Sequence, residues 1–103
     1  MQVIEFRLDG LSEADYRADT ERVAPVFSSM PGLLSKVWLA NAATNTYGGV
    51  YTWRDRVSLE QYRASAIYAR LVCNPGLADF RDREFAILPE PTRITAPGVL
   101  AAA

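Results

Sequence analysis

Polar and apolar residues alternate from the second residue onward. Ile4, Phe6 and Leu8 fall on one face and Val3, Glu5 and Arg7 on the other, which predicts a strand over 2–8 closed by the Asp9-Gly10 turn. The period then changes. Tyr16, Thr20, Val23, Phe27 and Met30 recur at steps of four and three, the stripe of an amphipathic helix. Ser12 is its N-cap, with Asp15 in the capping-box position. Pro25 has no N–H to donate, so a kink or an early end is expected near Ala24, and Pro31-Gly32 closes the element. Alternation returns over 33–41 and 46–53, with a short turn-like link that predicts a hairpin. Leu34, Lys36 and Trp38 share one face of the first of these strands. Tyr47, Gly49, Tyr51 and Trp53 share one face of the second. Ser58 opens a second helix with Leu59, Tyr62, Ala66, Ala69 and Cys73 as its stripe and Asn74-Pro75-Gly76 as its stop. Residues 80–88 form the last strand. Pro89, Pro91, Pro97 and Gly98 break up the remainder, so one domain is expected over 1–95, with a mobile tail over 96–103.

The order strand, helix, strand, strand, helix, strand is the split βαβ, or ferredoxin-like, pattern of an α+β fold. Its antiparallel sheet carries both helices on one face. Yet Val37 and Leu39 stand opposite Leu34 and Trp38, so both faces of the sheet are apolar. One helical layer covers one face, and the other is expected to pack on a second copy as a symmetric dimer.

Composition narrows the chemistry. A chain of 103 residues fits one domain. It holds no histidine, which removes Ser-His and Cys-His machinery and a histidine-ligated zinc or haem. Its one cysteine removes an internal disulfide and a cysteine-rich metal site. No metal and no cofactor are expected. The acidic residues of the first helix, Glu13, Asp15, Asp19 and Glu21, are a solvated face, not a metal site. A net charge of −1 lacks the basic excess of a nucleic-acid binder. No targeting signal or membrane-length apolar run is present, so the expected location is cytoplasmic, with no membrane partner. The eleven basic residues are ten arginines and Lys36. Arginine does not readily give up its proton, so Lys36 is the only side-chain amine with a tunable charge.

Lys36 and Trp38 lie two residues apart on one strand face. In one reading the amine sits at the edge of an aromatic pocket, binding a phenolate or enolate or accepting a proton. In the other, its stem packs on Trp38 and its head reaches water. Tyr47, Tyr51 and Trp53 either line a cavity for a flat aromatic molecule or pack as core. Gly48-Gly49 beside them leaves backbone room for a ligand or marks a bulge. Tyr62 and Arg70, eight residues apart on the second helix, offer a hydroxyl and an anion anchor. Arg70 also suits a solvated helix end. Cys73 has no histidine or helix N-terminus beside it and is expected to be inert.

The run Gly32-Leu33-Leu34-Ser35-Lys36-Val37-Trp38, then Gly48-Gly49-Val50-Tyr51 with Trp53 and Asp55, then Phe85-Ala86-Ile87 with Glu90-Pro91, resembles the YdhR-like monooxygenase family. That family belongs to the dimeric α+β barrel superfamily. The resemblance implies a homodimer with a cavity in each subunit. It also implies kinship with antibiotic biosynthesis monooxygenases, which oxidise aromatic substrates without metal or flavin. Lys36 and Tyr51 are then the expected catalytic residues, and Trp38, Tyr47, Trp53, Tyr62 and Arg70 the expected substrate contacts. The expected activity is cofactor-independent oxygenation of a small aromatic or polyketide-like molecule. A dimeric binding module without turnover and a cyclase or isomerase on the same barrel are the alternatives. A haem-degrading role lacks its usual axial histidine.

Overall fold

The computed structural model describes residues 1–101, and the side chains of 1–99. The chain runs β1 (Gln2–Leu8), α1 (Glu13–Ser28), β2 (Leu33–Asn41), β3 (Thr46–Trp53), α2 (Arg56–Arg63), α3 (Ala66–Val72), β4 (Leu77–Glu84), α4 (Pro89–Thr95) and α5 (Pro97–Ala101). The four strands form one antiparallel sheet in the order β2-β3-β1-β4. The result is the ferredoxin-like α+β fold. Ile4, Phe6, Tyr47, Tyr51 and Trp53 of the sheet pack against Phe27, Leu59 and Tyr62 of the helices as one buried cluster.

The first three strands begin and end where alternation places them. One detail of β2 departs from simple alternation. Leu33 pairs with Trp53 but Ser35 pairs with Thr52, so the strand carries an extra residue at Leu34. Leu33, not Leu34, therefore packs against the core. Beyond this bulge Lys36 pairs with Tyr51 and Trp38 with Gly49.

The helices differ from the sequence expectation in three ways. Helix α1 is capped by Ser12, whose Oγ accepts from the Asp15 N–H at 3.1 Å, but it does not stop before Pro25. It continues to Ser28 because Phe27 is buried in the core and holds the last turn down. The hydroxyls of Ser28 and Ser29 donate to the Pro25 carbonyl at 2.8 and 3.1 Å. The second helix starts earlier, on Asp55, which accepts from the Ser58 N–H at 2.8 Å. It also breaks in two. Ser65 Oγ donates to the Tyr62 carbonyl at 2.6 Å and accepts from the Tyr68 N–H at 3.2 Å, ending α2 and capping α3. Cys73 caps α3 at its far end and is exposed rather than packed in a stripe.

Strand β4 lies at 77–84, not 80–88. Its charges belong to an edge strand. Arg83 bonds Glu5 of the neighbouring β1 at 2.6 Å, and Asp82 reaches beneath the sheet. Phe85 and Leu88 are exposed beyond its end. The proline-rich stretch expected to be irregular forms α4 and α5, with Pro89 in the first turn of α4 where its missing N–H costs nothing. The tail expected over 96–103 thus carries α5, and its last two residues, Ala102 and Ala103, lie outside the described residues.

A polar network closes the core beneath Trp53. Trp53 Nε1 donates to Gln2 at 2.9 Å, and Gln2 Nε2 donates to Asp82 at 3.0 Å. Arg63 and Tyr68 also donate to Asp82, at 3.0 and 2.6 Å. Burial pushes the Asp82 carboxyl up, but the hydrogen bonds from Arg63, Tyr68 and Gln2 outweigh it and hold the pKa below its ordinary 3.8. The stabilisation is therefore complete above that value and is lost as pH falls through the lower folded pKa. Asp82→Ala leaves three donors without their acceptor and is expected to cost roughly 2–3 kcal/mol at pH 7. Urea unfolding at pH 7 and pH 3 checks this. The gap between wild type and variant should narrow in acid, and an equal gap at both pH values counts against the network.

Candidate functional site

A cavity of about 630 Å³ opens between α1, α3 and the helix-covered face of the sheet. Its walls are largely apolar: Phe6, Val23, Phe27, Trp38, Ile67 and Leu71, with Tyr16, Tyr51 and Tyr62. Its volume lies in the range of small-molecule sites. The polar groups are few, and Lys36 stands among them.

Lys36 Nζ lies 3.4 Å from the ring centroids of both Phe27 and Trp38 and 4.5 Å from that of Tyr51. These three rings come from α1, β2 and β3. Lys36 and Tyr51 meet as direct cross-strand partners, and Trp38 is next on the same face. Gly49 makes the arrangement fit. A Cβ there would stand 3.1 Å from Lys36 Cε and 3.3 Å from Tyr51 Cε1, so the missing side chain is the space through which the lysine stem passes. Gly48 has a different task, since a Cβ there would collide with the Ile4 carbonyl of β1.

Lys36 makes no hydrogen bond or ion pair among the described residues. Burial lowers its pKa from 10.5 to about 7. The ring faces oppose this by attracting the cation, so the amine is poised between charged and neutral. It is the chain's only lysine, so its ¹³Cε NMR resonance titrates alone. The expected midpoint lies near 7, and one near 10.5 would show an ordinary solvated amine.

The tyrosines behave oppositely. The Tyr51 and Tyr62 hydroxyls meet at 3.3 Å. Burial, and then its neighbour's phenol, raise Tyr51 far above the tyrosine range. Burial also pushes Tyr62 up to about 12. Both stay protonated at neutral pH. Arg70 stands at the cavity edge with no ion pair among the described residues, whereas Arg22 across from it is tied to Asp19 at 2.8 Å.

The structure thus brings Lys36, Trp38, Tyr51, Tyr62 and Arg70 to one cavity. It places Tyr47 and Trp53 elsewhere. Tyr47 is buried edge-on against Tyr16, with centroids 5.2 Å apart. Trp53 lies parallel to Tyr51 at 6.1 Å and gives its N–H to Gln2. Sequence reasoning missed Phe27 and Tyr16 as cavity residues. Both sit on the α1 stripe, which carries the same signal as ordinary core. A second cavity of about 360 Å³, bounded by Ala24, Leu33 and Leu34, touches the opposite side of Phe27, Lys36 and Trp38. No cluster of three metal-ligating side chains exists among the described residues. No helix among them is long and apolar enough to cross a membrane.

The ferredoxin-like sheet with helices on one face recurs in solved proteins of low sequence identity. Rv0793 from Mycobacterium tuberculosis shares the fold with a TM-score of 0.69 and 18% identity over 86% of this chain and 94% of that one. SnoaB, a cofactor-independent oxygenase from Streptomyces nogalater, gives 0.64 and 20% over 86% and 95%. MhuD, in a structure with two manganese protoporphyrin IX molecules per active site, gives 0.67 and 16% over 84% and 92%. No curated protein matches the chain. The family described as "Putative mono-oxygenase ydhR" matches residues 1–97, and the chain belongs to it.

Proposed function

We propose that this protein is a cofactor-independent monooxygenase for a small, flat, electron-rich aromatic or polyketide-like molecule, with Lys36 as the base. The observation that carries the reading is an amine without an ion pair among the described residues, held between aromatic rings on the wall of an apolar cavity, where burial lowers its pKa. SnoaB, of the same fold, is a cofactor-independent oxygenase. Such a substrate lies against the apolar walls beside Lys36, and an acidic group at its rim meets Arg70. Lys36 removes a proton from an activated CH₂ and becomes ammonium beside the rings. The carbanion passes an electron to O₂, and recombination gives a hydroperoxide. Loss of water then leaves C=O. One oxygen atom enters the product, the other leaves as water, and the substrate supplies the electrons. The Tyr51–Tyr62 hydroxyl pair donates to the enolate oxygen, and the apolar walls keep water from the intermediate.

The sheet's other face, where Val37 pairs with Val50 and Val37 is 58% exposed, is proposed to bury itself on a second copy. A monomeric mass at micromolar concentration refutes that part.

The test of function is oxygen uptake by metal-chelated protein with anthrones, naphthols and hydroquinones. Uptake without added flavin or metal supports the reading, and uptake that requires either one sinks it. Tight binding without uptake across the panel favours the aromatic cage as a binding module.

A further inference from the structure

We propose that Lys36 is also a carbonyl-capturing nucleophile. Its amine stands unpaired on the wall of the larger cavity, ringed by Phe27, Trp38 and Tyr51, and condenses with aromatic aldehydes or ketones that enter there. This reactivity consumes no oxygen and is independent of the oxygenase reading.

The step balances without an oxidant or reductant. The Nζ lone pair attacks the carbonyl carbon, the C–N bond forms, and the carbonyl π pair moves to oxygen. A proton passes from nitrogen to that oxygen, giving a carbinolamine. The hydroxyl then leaves with the second nitrogen proton as one molecule of water, and the C=N bond of an imine remains.

Two features of the site favour it. The amine is neutral far more often than an ordinary lysine. With its pKa near 7 about half is free base at pH 7, roughly a thousandfold more than for a solvated lysine. Apolar walls hold little water, and condensation expels one more, so the equilibrium shifts toward the imine. Among the described residues no carboxylate pairs with Nζ to hold it protonated. The charged groups on the surrounding walls are Asp19 and Arg22 from α1 and Arg70 from α3, and the titratable hydroxyls are Tyr16, Tyr51 and Tyr62. Asp19 and Arg22 neutralise each other, and the three tyrosines stay protonated through the neutral range.

The test uses benzaldehyde with sodium cyanoborohydride, which fixes an imine as a stable benzylamine. Two amines exist in the chain, Lys36 and the Met1 terminus, which lies on the sheet edge bonded to the Phe85 carbonyl. Peptide mapping therefore separates them. At pH 7 the folded protein is expected to gain one benzyl group at Lys36, at least tenfold faster than the same lysine in the guanidinium-unfolded chain. Lys36→Arg, confirmed folded by circular dichroism, should label at Met1 alone. Labelling of Lys36 no faster in the folded chain than in the unfolded one overturns the proposal, as does labelling of the folded protein confined to Met1. An oxygenase that fails this test retains its oxygen uptake, and a carbonyl-capturing protein that is no oxygenase shows the adduct with no uptake.

Discussion

Lys36→Met should lower oxygen uptake on a responsive substrate by about 10²–10⁴-fold, the usual contribution of a positioned general base. The same substitution should make the protein more stable. The folded pKa of Lys36 lies at about 7, below the 10.5 of a free lysine. Between those values the unfolded chain binds a proton that the folded chain does not. Wild-type stability must therefore rise with pH across that window and be lowest below about 7, where the buried amine is charged in the native state. Methionine matches the length of the stem, packs against Phe27 and Trp38 and removes the cost. Because the rings already return part of that cost to the ammonium, the expected gain at pH 7 is modest, about 1–2 kcal/mol. Thermal unfolding and uptake on the same preparations check both halves. Wild-type uptake should climb with pH through about 7, following the free amine. A variant that keeps its uptake removes Lys36 from the reaction, and one that unfolds more easily shows that the amine is no cost to the fold.

Gly48→Ala should be strongly destabilising, costing about 3 kcal/mol or more. Gly48 has φ 154° and pairs with Glu5 at the centre of the sheet, where the new Cβ would overlap the Ile4 carbonyl. Relief requires β1 and β3 to separate, and these two strands carry Ile4, Phe6, Tyr47 and Tyr51 of the core. Gly10→Ala provides the contrast. Gly10 also has a positive φ, 75°, but nothing lies within 4 Å of its absent Cβ. Strain alone then costs about 1 kcal/mol. Urea midpoints of the two variants separate collision from strain, and equal losses would show that the β1–β3 spacing is not the constraint.

Much of this architecture is legible in the chain itself. Alternation with turn residues on either side locates β1, β2 and β3 to the residue, because each has one face in the core. It fails for β4, where Asp82 and Arg83 pair with Arg63, Tyr68 and Glu5 rather than alternating with apolar residues. The single long helix expected after Ser58 ignores Ser65, whose hydroxyl both ends one helix and begins the next. Pro25 misleads in the other direction, since burial of Phe27 outweighs one lost backbone bond. At the site, the uniqueness of Lys36 and its spacing to Trp38 are visible in the sequence. The third wall of its cage is not, because Phe27 arrives from a helix and carries the signal of any core residue. Tyr47 and Trp53 share the strand face of Tyr51, yet the helices cover them, and no periodicity distinguishes a covered ring from one at a cavity.

The extra residue at Leu34 decides on which side of the sheet the amine emerges. Were β2 to pair with β3 in unbroken register from Leu33 onward, Lys36 would sit opposite Val50 and Ser35 opposite Tyr51. The amine would then point to the face without helices, an ordinary solvated lysine with an ordinary pKa. Ser35 and Val37 would face the cavity in its place. Deleting Leu34 would remove the extra residue and still leave Lys36 opposite Tyr51, whereas a slip of one residue would change no side chain and exchange the amine for a hydroxyl. The placement of the amine in this protein is therefore a property of frame before it is a property of residue identity.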